Sequence, residues 1–187
     1  QQVAKANPAT TEELATQKLL GGSLSVQEKL EQLISKISES IKVKRFANFA
    51  VEKHGVVNAY IHPGATLGIL VHIESDKDAA SHVEALKQLA KDVCMQIAVT
   101  SPLSVRSTEL DLSTIEKERE ILKAQLATSG KPEAMIEKIL VGKLEKFYEE
   151  VCLLNQKFIK NDKLTIAQYV EQVGKELGIT LTVKRFA

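Results

Sequence analysis

The sequence predicts an α+β fold with two related core subdomains and an inserted helical hairpin. Three observations support this prediction. A helix-plus-strand segment occurs twice, the apolar period changes from helical to two between 42 and 75, and residues 112–154 carry narrow apolar stripes among many Glu and Lys residues. A chain of 187 residues, 44% hydrophobic and 26% charged, is long enough to bury such a core.

The repeat ends in the motif Val-Lys-Arg-Phe-Ala, at 43–47 and again at 183–187. Read back without a gap, 24–47 aligns with 164–187 at eight identical positions: Leu24, Glu31, Gln32 and the motif, each with its counterpart 140 places on. This similarity favours a diverged duplication over chance. In both copies we expect a helix that runs into a strand carrying the motif, with Phe46 and Phe186 in the core.

Two helix starts are predicted before the first motif. Thr10 and Glu13 have the spacing of a capping box, and the helix that they open should stop at Gly21-Gly22. Ser25 and Glu28 repeat the spacing and open a second helix, with one apolar face formed by Val26, Leu30, Leu33 and Ile37. The second copy has the same capping-box spacing at Thr165 and Gln168.

Residues 42–75 alternate with a period of two, which is typical of strands. The alternation covers Val43–Val51, the segment after Gly55 and the segment after the turn His62-Pro63-Gly64. We expect three antiparallel strands in a meander. A long helix over Asp76–Thr100 should then cover one face of the sheet through an apolar stripe: Ala79, Val83, Leu86, Ala90, Val93 and Ile97.

The charged segment after Pro102 predicts an antiparallel helical arm. Ser129-Gly130-Lys131-Pro132 divides it into two helices, since Gly favours a helix end and Pro a helix start. The first helix has a narrow apolar stripe. In the second helix the apolar residues are spaced alternately four and three positions apart, as in the seam of a coiled coil: Leu140, Leu144, Phe147, Val151 and Leu154. The domains predicted are thus a helical lead-in at 1–22, a first core subdomain at 23–104, a coiled-coil hairpin for dimerisation at 105–160 and a second core subdomain at 161–187.

The motif search favours binding over catalysis. The four histidines form no HxH or HExxH pattern, and the glycines form no nucleotide-binding loop, so neither a metal nor a nucleotide cofactor is predicted. The near-neutral charge of +1 and 4% aromatic content argue against the alternative of RNA binding through the Lys-Arg-Phe motif. Cys94 and Cys152 fit buried thiols best, with a disulfide or metal role left open. An enzyme with a dispersed site remains the least favoured alternative.

Two positions depart from the pattern of their elements. Met95 lies on the helix face opposite Leu86, which indicates either a partner surface or packing by the second copy. Gly68 lies within the apolar run Thr66–Val71, which indicates either a close approach of another chain or a bulge. Both alternatives stay open at each position.

The chain resembles the elongation factor Ts family from about Val43 onward. The resemblance rests on "HGVVNAYIHPGATLGILVHIES", "LAKDVCMQIAVTSPL", "IEKEREILKAQLATSGKPEAMIEKILVGKLEKFYEEVCLLNQKFIK" and the VKRFA repeat, in the family's order. It implies a guanine nucleotide exchange factor, not an enzyme, that binds the translational GTPase elongation factor Tu and releases its GDP. Contacts to that partner would fall on Leu67, Gly68, Met95 and Gln96, and a homodimer could form through the hairpin.

The sequence departs from the family pattern in one respect. The Thr-Asp-Phe-Val element, which in the family intrudes near the magnesium site of the GTPase, does not occur in these 187 residues. Binding without full exchange activity is therefore expected, with a dimerisation scaffold as the alternative. The cytoplasm or an organelle matrix is the expected compartment, because no signal peptide or apolar span is visible. The initial Gln also suggests a processed or partial chain.

Overall fold

A computed structural model describes residues 1–64, 66–127 and 132–187. They form two compact units, 1–50 and 51–187. Helices and an antiparallel sheet are both present, so the predicted α+β class is confirmed. The bounds of the four domains read from the sequence stay predictions.

The first unit contains three helices, α1 (Gln2–Ala6), α2 (Thr11–Thr16) and α3 (Val26–Ile37). The hydroxyl of Thr10 accepts a hydrogen bond from Glu13 N at 3.1 Å and caps α2 as predicted. The helix ends at Thr16, well before Gly21-Gly22, so the predicted stop was wrong. Gln17 adopts an extended conformation instead, and its carbonyl accepts a hydrogen bond from Val26 N.

The capping box of α3 is confirmed. Glu28 N donates to Ser25 Oγ at 3.1 Å, and Ser25 N donates to Glu28 Oε2 at 2.6 Å. Helix α7 (Ile166–Leu177) in the second unit has the same reciprocal pair between Thr165 and Gln168. Both helices have 12 residues and end at a left-handed residue 140 positions apart, which supports the duplication.

The first copy of the motif is not a strand, which corrects the prediction for Val43–Val51. Residues 38–50 have no helix or strand, and Phe46 is only half-buried. A strand needs a neighbour to bond its backbone groups. The described part of the first unit offers no such neighbour, since its only ladder contact is the isolated bridge Lys18–Ser25.

The second unit holds the remaining elements. Its strands are β1 (Gly55–Ile61), β2 (Gly68–Ser75), β3 (Lys157–Phe158), β4 (Asn161–Thr165) and β5 (Leu181–Phe186). Its other helices are α4 (Val83–Thr100), α5 (Leu112–Ala127) and α6 (Glu133–Val151). The main core joins β2, α4, α7 and β5 through side chains that include Ile73, Leu86, Val93, Ile166 and Val183.

The three-stranded sheet has the order β1-β2-β5, with both pairs antiparallel. Its third strand is the second copy of the motif, from the end of the sequence, and not the first copy. The predicted local meander was therefore wrong, although the β1–β2 hairpin is confirmed. Phe186 is half-buried and packs against the main core.

Helix α4 begins later than the predicted Asp76. A single 3-10 turn covers Ala80–His82, and the α-helix starts at Val83. Asp76 N donates to Thr180 O at 3.1 Å, and Thr180 N donates to Asp76 Oδ1 at 2.7 Å. These bonds hold the start of the connection extended beside β5, so the helix can begin only beyond it.

The two arm helices contact each other through a separate apolar cluster. Its buried members are Leu122, Leu126 and Leu140. At the base of the arm, Leu103 N donates to Val151 O at 2.8 Å. The chain therefore leaves the body of the unit before α5 and returns to it after α6 at the same place, and the two helices run antiparallel. Pro132 precedes α6 as predicted, whereas the proposed break at Ser129–Lys131 lies outside the described residues. Supercoiling stays a prediction.

The duplication extends beyond the segment visible in the sequence. "QVAKANP" at 2–8 corresponds to "QIAVTSP" at 96–102, and the residues Asn7 and Ser101 end their helices at φ 44° and 45°. Gln2 Nε2 donates to Lys18 O at 3.0 Å, as Gln96 Nε2 donates to Lys157 O at 3.1 Å. The Oε1 atoms accept from Leu20 N and Ile159 N, again in corresponding positions. We call this arrangement the glutamine clasp.

The copies differ in the hydrogen bonds to one further glutamine, which is Gln156 in the second copy and whose Oε1 there accepts from Gln96 Nε2 at 3.1 Å. Thr100 Oγ1 donates to Gln156 Oε1 at 2.7 Å in the second copy. The corresponding pair in the first copy is Ala6 and Gln17, and Gln17 Oε1 is buried without a donor among the described residues. An unpaired buried carbonyl oxygen destabilises the fold, and alanine cannot supply the missing hydroxyl.

His72 lies in the middle of β2, opposite Val57 of β1 and Arg185 of β5. Its side chain is 1% exposed, and neither ring nitrogen has a hydrogen-bond partner among the described residues. Burial lowers the pKa of His72 below its usual range, because the imidazolium form loses hydration. The folded protein therefore favours neutral His72.

We predict that Ala6→Thr stabilises the protein. The new hydroxyl would donate to Gln17 Oε1 as Thr100 does to Gln156, a gain of about 1 kcal/mol and a Tm increase of about 2–4 °C. Ala4→Thr is the matched control, because it lies on the exposed side of the same helix and has the same helix-propensity cost. Equal Tm changes in the two variants, measured by thermal unfolding, would contradict this explanation.

We predict a pH-dependent loss of stability that originates at His72. The unfolded chain binds the proton more tightly, since its histidine has an ordinary pKa of about 6.5. The stabilising contribution is therefore complete above that value and declines as the pH falls below it, toward the lower pKa of the folded state. Urea midpoints should fall across this window in the wild type, with a smaller slope in His72→Leu. Parallel profiles for the two proteins would refute the assignment.

Candidate partner interface

Helix α4 has a buried side and an exposed side. Leu86, Ala90 and Val93 are at most 1% exposed and face the sheet. On the other side Met95 is half-buried, and Val99, one turn further on, is 70% exposed. The outward position of this apolar pair agrees with the helical-wheel argument, but a partner role for Met95 stays a prediction.

Gln96 is completely buried, and the glutamine clasp uses its amide fully. Besides its bonds to Lys157 O and Ile159 N, its Nε2 donates to Gln156 Oε1 at 3.1 Å. Each of these bonds ties α4 to the segment 156–159. The structure therefore places the Gln96 side chain inside the protein, while its predicted neighbour Met95 faces outward.

Asp92 forms a second buried polar group on α4. It is 5% exposed and accepts hydrogen bonds from Lys160 Nζ at 2.7 Å, Tyr169 Oη at 2.8 Å and Gln88 Nε2 at 2.9 Å. Tyr169 stacks on Phe158 at a centroid distance of 4.3 Å. Burial and then the Asp92 carboxylate raise the pKa of Tyr169, so its hydroxyl remains a donor.

Sequence reasoning missed this polar group, although a signal was present. Asp92 lies directly before Val93, on a helix whose buried residues are apolar apart from Asp92 and Gln96. A carboxylate in that place requires paired donors, because an unpaired buried charge is costly. Together with the clasp it fixes the C-terminal half of α4, and so fixes the direction in which Met95 and Val99 point.

The β1–β2 connection forms the other predicted contact region. His62 N donates to Leu67 O at 2.9 Å, and Gly64 adopts φ 98°, as a tight turn requires. Leu67 is 40% exposed. Gly68 is the first residue of β2, not a mid-strand residue, and a Cβ there would meet open space. Neither a bulge nor a close backbone approach occurs at Gly68 within the described part of the unit.

Ile61 is an exposed apolar residue that the sequence analysis did not single out. It pairs with Gly68 across the hairpin and is 68% exposed. The available signal was its place in β1, since Tyr60 faces the core and a neighbour in a strand points the other way. Ile61 and Leu67 thus form an apolar hairpin tip.

The hairpin tip and the exposed end of α4 lie at the same end of the unit. β2 ends beside the start of β1, and α4 begins soon afterwards, so α4 runs in the direction of β1. Cys94 Sγ lies 4.0 Å from Asn58 O, which puts the two elements side by side. Leu67, Gly68 and Met95 are therefore brought to one end, and Ile61 and Val99 join them there.

The end of the unit that carries Met95 and the hairpin tip offers apolar contacts. Both cysteines are buried and free, as the sequence favoured, and burial raises the pKa of Cys94 to about 12. Within the described ranges, no three His, Cys, Asp or Glu side chains are grouped to hold a metal ion. None of the helices seen in the structure has both the length and the apolar character needed to cross a bilayer.

Comparison with known proteins identifies the family. The family model described as "Elongation factor TS" matches residues 1–187. Elongation factor Ts of Clostridium kluyveri is 40% identical over 186 residues, which is 99% of this chain and 59% of that protein. Elongation factor Ts of a Clostridium perfringens strain is 42% identical over 184 residues, with 98% and 59% covered.

The chain thus spans about three fifths of the length of these curated relatives. Every described element, from α1 to β5, falls within the matched range. The match also includes both copies of the repeat and the arm, in the order in which the structure places them. The chain belongs to the elongation factor Ts family.

Proposed function

We propose that the chain is a guanine nucleotide exchange factor for elongation factor Tu. It binds the GDP-bound GTPase and promotes GDP release, which allows GTP to reload during protein synthesis. The observation that carries this proposal is the family match over all 187 residues. The apolar end of the second unit supports it, because an exchange factor acts through a contact surface and needs no covalent step.

Exchange of this kind depends on differential affinity. The factor must bind the nucleotide-free GTPase more tightly than the GDP-bound form, since a ligand shifts an equilibrium only by that difference. By linkage, GDP must weaken the binding of the factor by the same ratio. A rigid contact surface favours this mechanism, and the glutamine clasp with the Asp92 group provides rigidity beneath Met95.

We assign the contacts to Leu67, Gly68 and Met95. Leu67 and Met95 offer apolar area, and open space at Gly68 allows a partner backbone to approach closely. Gln96 stays in the proposal as the residue whose internal hydrogen bonds hold this turn of α4. Thr-Asp-Phe-Val does not occur in these 187 residues, so we propose that they bind the GTPase and that full exchange activity requires that element.

A second candidate function is a dimerisation scaffold that uses the arm. The observation in its favour is that the arm has its own apolar cluster and still exposes further apolar side chains, namely Ile121, Met135 and Val141. The proposed homodimer would bury these residues. Since translation takes place in the bacterial cytoplasm or an organelle matrix, we propose that compartment for either function.

We predict that the chain binds elongation factor Tu and that Met95→Glu weakens this binding about tenfold or more, because a charge would replace an apolar contact. Tm should stay nearly unchanged, since Met95 is only half-buried. The measurements are release of a fluorescent GDP analogue and titration of the nucleotide-free GTPase.

Leu112→Glu at the start of α5 is the matched control, because Leu112 is an exposed apolar residue, 74% accessible, that belongs to neither proposed interface. It should leave the affinity unchanged. If the wild-type chain neither binds nor accelerates release, and a longer chain that carries Thr-Asp-Phe-Val is equally inert, the exchange proposal fails. A large decrease of Tm in Met95→Glu would show that Met95 contributes to the packing of the core.

We predict that replacing 112–150 by a short Gly-Ser linker abolishes self-association and preserves the fold. The linker spares Cys152 and Leu153, which are 0% exposed and belong to the body of the unit. Sedimentation velocity should show a dimer for the intact chain and a monomer for the deletion variant, with retained near-ultraviolet circular dichroism. An intact chain that is monomeric at every concentration would exclude the homodimer.

A further inference from the structure

The duplication supplies an internal control for the role of exposed residues. The two copies share the clasp, the capped helices and the left-handed ends at Asn7 and Ser101, so positions that both copies retain reflect the fold. If only one copy has an exposed apolar residue at a given position, the fold that the two copies share does not require that residue. Such residues mark a surface that one copy alone presents to a partner.

The exposed residues of α4 and of the segment that follows it differ in this way. The second copy has Met95, Val99 and Leu103 at intervals of four, and the corresponding positions in the first copy are Gln1, Lys5 and Ala9. Val99 is 70% and Leu103 is 62% exposed. We call Met95, Val99 and Leu103 the apolar strip.

The fold itself does not require the strip. Lysine has a higher helix propensity than valine and is better hydrated, so an exposed position on α4 would favour the residue that the first copy has. Leu103 lies outside the helix, where its backbone N–H donates to Val151 O, and that bond needs no leucine side chain. The apolar character of both positions therefore has no explanation in the packing of the unit.

The partner that fits the strip has an apolar face. Val93–Val105 contains no charged side chain, so charge pairing cannot come from this stretch. The strip also lies at the end of the unit that carries the hairpin tip, Ile61 and Leu67.

We propose that Val99 and Leu103 extend the elongation factor Tu contact beyond Met95 and determine part of its affinity. This inference rests on the proposed function. The strip alone is too small for a second copy of the chain, because a stable interface uses roughly 20–30 residues on each side. As an extension of the Met95 and hairpin contacts it adds apolar area where an interface already forms.

The test replaces strip residues by their counterparts from the first copy. In Val99→Lys combined with Leu103→Ala, Kd for nucleotide-free elongation factor Tu should rise about thirtyfold, and in Val99→Ala about threefold. The alanine variant separates lost apolar area from added charge. Tm should not change, because both side chains are mostly exposed. Lys5→Val with Ala9→Leu is the matched control and should leave Kd unchanged.

The outcomes separate the strip from the proposed function. If the wild type binds and the double variant binds within twofold of it, the strip inference is overturned and the proposed function stands. If the wild type does not bind at all, the proposed function is refuted, and the assignment of the strip to elongation factor Tu is refuted with it. A wild-type dimer that the double variant turns into a monomer in sedimentation would assign the strip to a second copy and also overturn the inference.

Discussion

The structure depends on one hydrogen-bonded side-chain amide in each unit, fully buried at Gln96 and half-buried at Gln2. Gln2 and Gln96 each bond a backbone carbonyl and a backbone N–H from the segment that precedes a capped helix. A buried amide without partners would destabilise the fold, whereas a satisfied one ties two segments in a single geometry. Because Gln96 holds α4 against 156–159, the clasp sets the position of α7, and through α7 that of β5. The third strand of the sheet and the outward side of α4 both follow from it.

Local signals in the sequence were sufficient for several elements. The capping boxes at Ser25 and Thr165, the β1–β2 hairpin and the two arm helices all depend on residues a few positions apart, and the structure confirms them. The apolar period also correctly put Met95 opposite Leu86. In each case the physical cause lies within one turn of helix or one hairpin, which is the range that a pattern can detect.

The errors came from long-range pairing. The two Val-Lys-Arg-Phe-Ala segments are identical, yet only 183–187 reaches a sheet, because β2 has a free edge for it and the described first unit has no strand to offer. No local pattern distinguishes them. The burial of Gln96 was likewise invisible, since its partners Gln156 and Ile159 are about 60 residues away. Of the predicted contacts, Leu67, Gly68 and Met95 lie where a partner could reach them, whereas Gln96 does not.

The place where the arm joins the unit has a consequence for how the protein diverged. Leu153 N donates to Ser104 O at 3.0 Å and Leu154 N donates to Val105 O at 3.1 Å, so the chain leaves and re-enters the body at adjacent points. In the first copy, the corresponding stretch runs without interruption from Pro8, which matches Pro102, to Gln17, which matches Gln156. A graft between neighbouring points leaves the clasp and the sheet intact, and the entropy of closing such a loop grows only slowly with its length. The arm could therefore be acquired, lengthened or lost in evolution independently of the body that bears it.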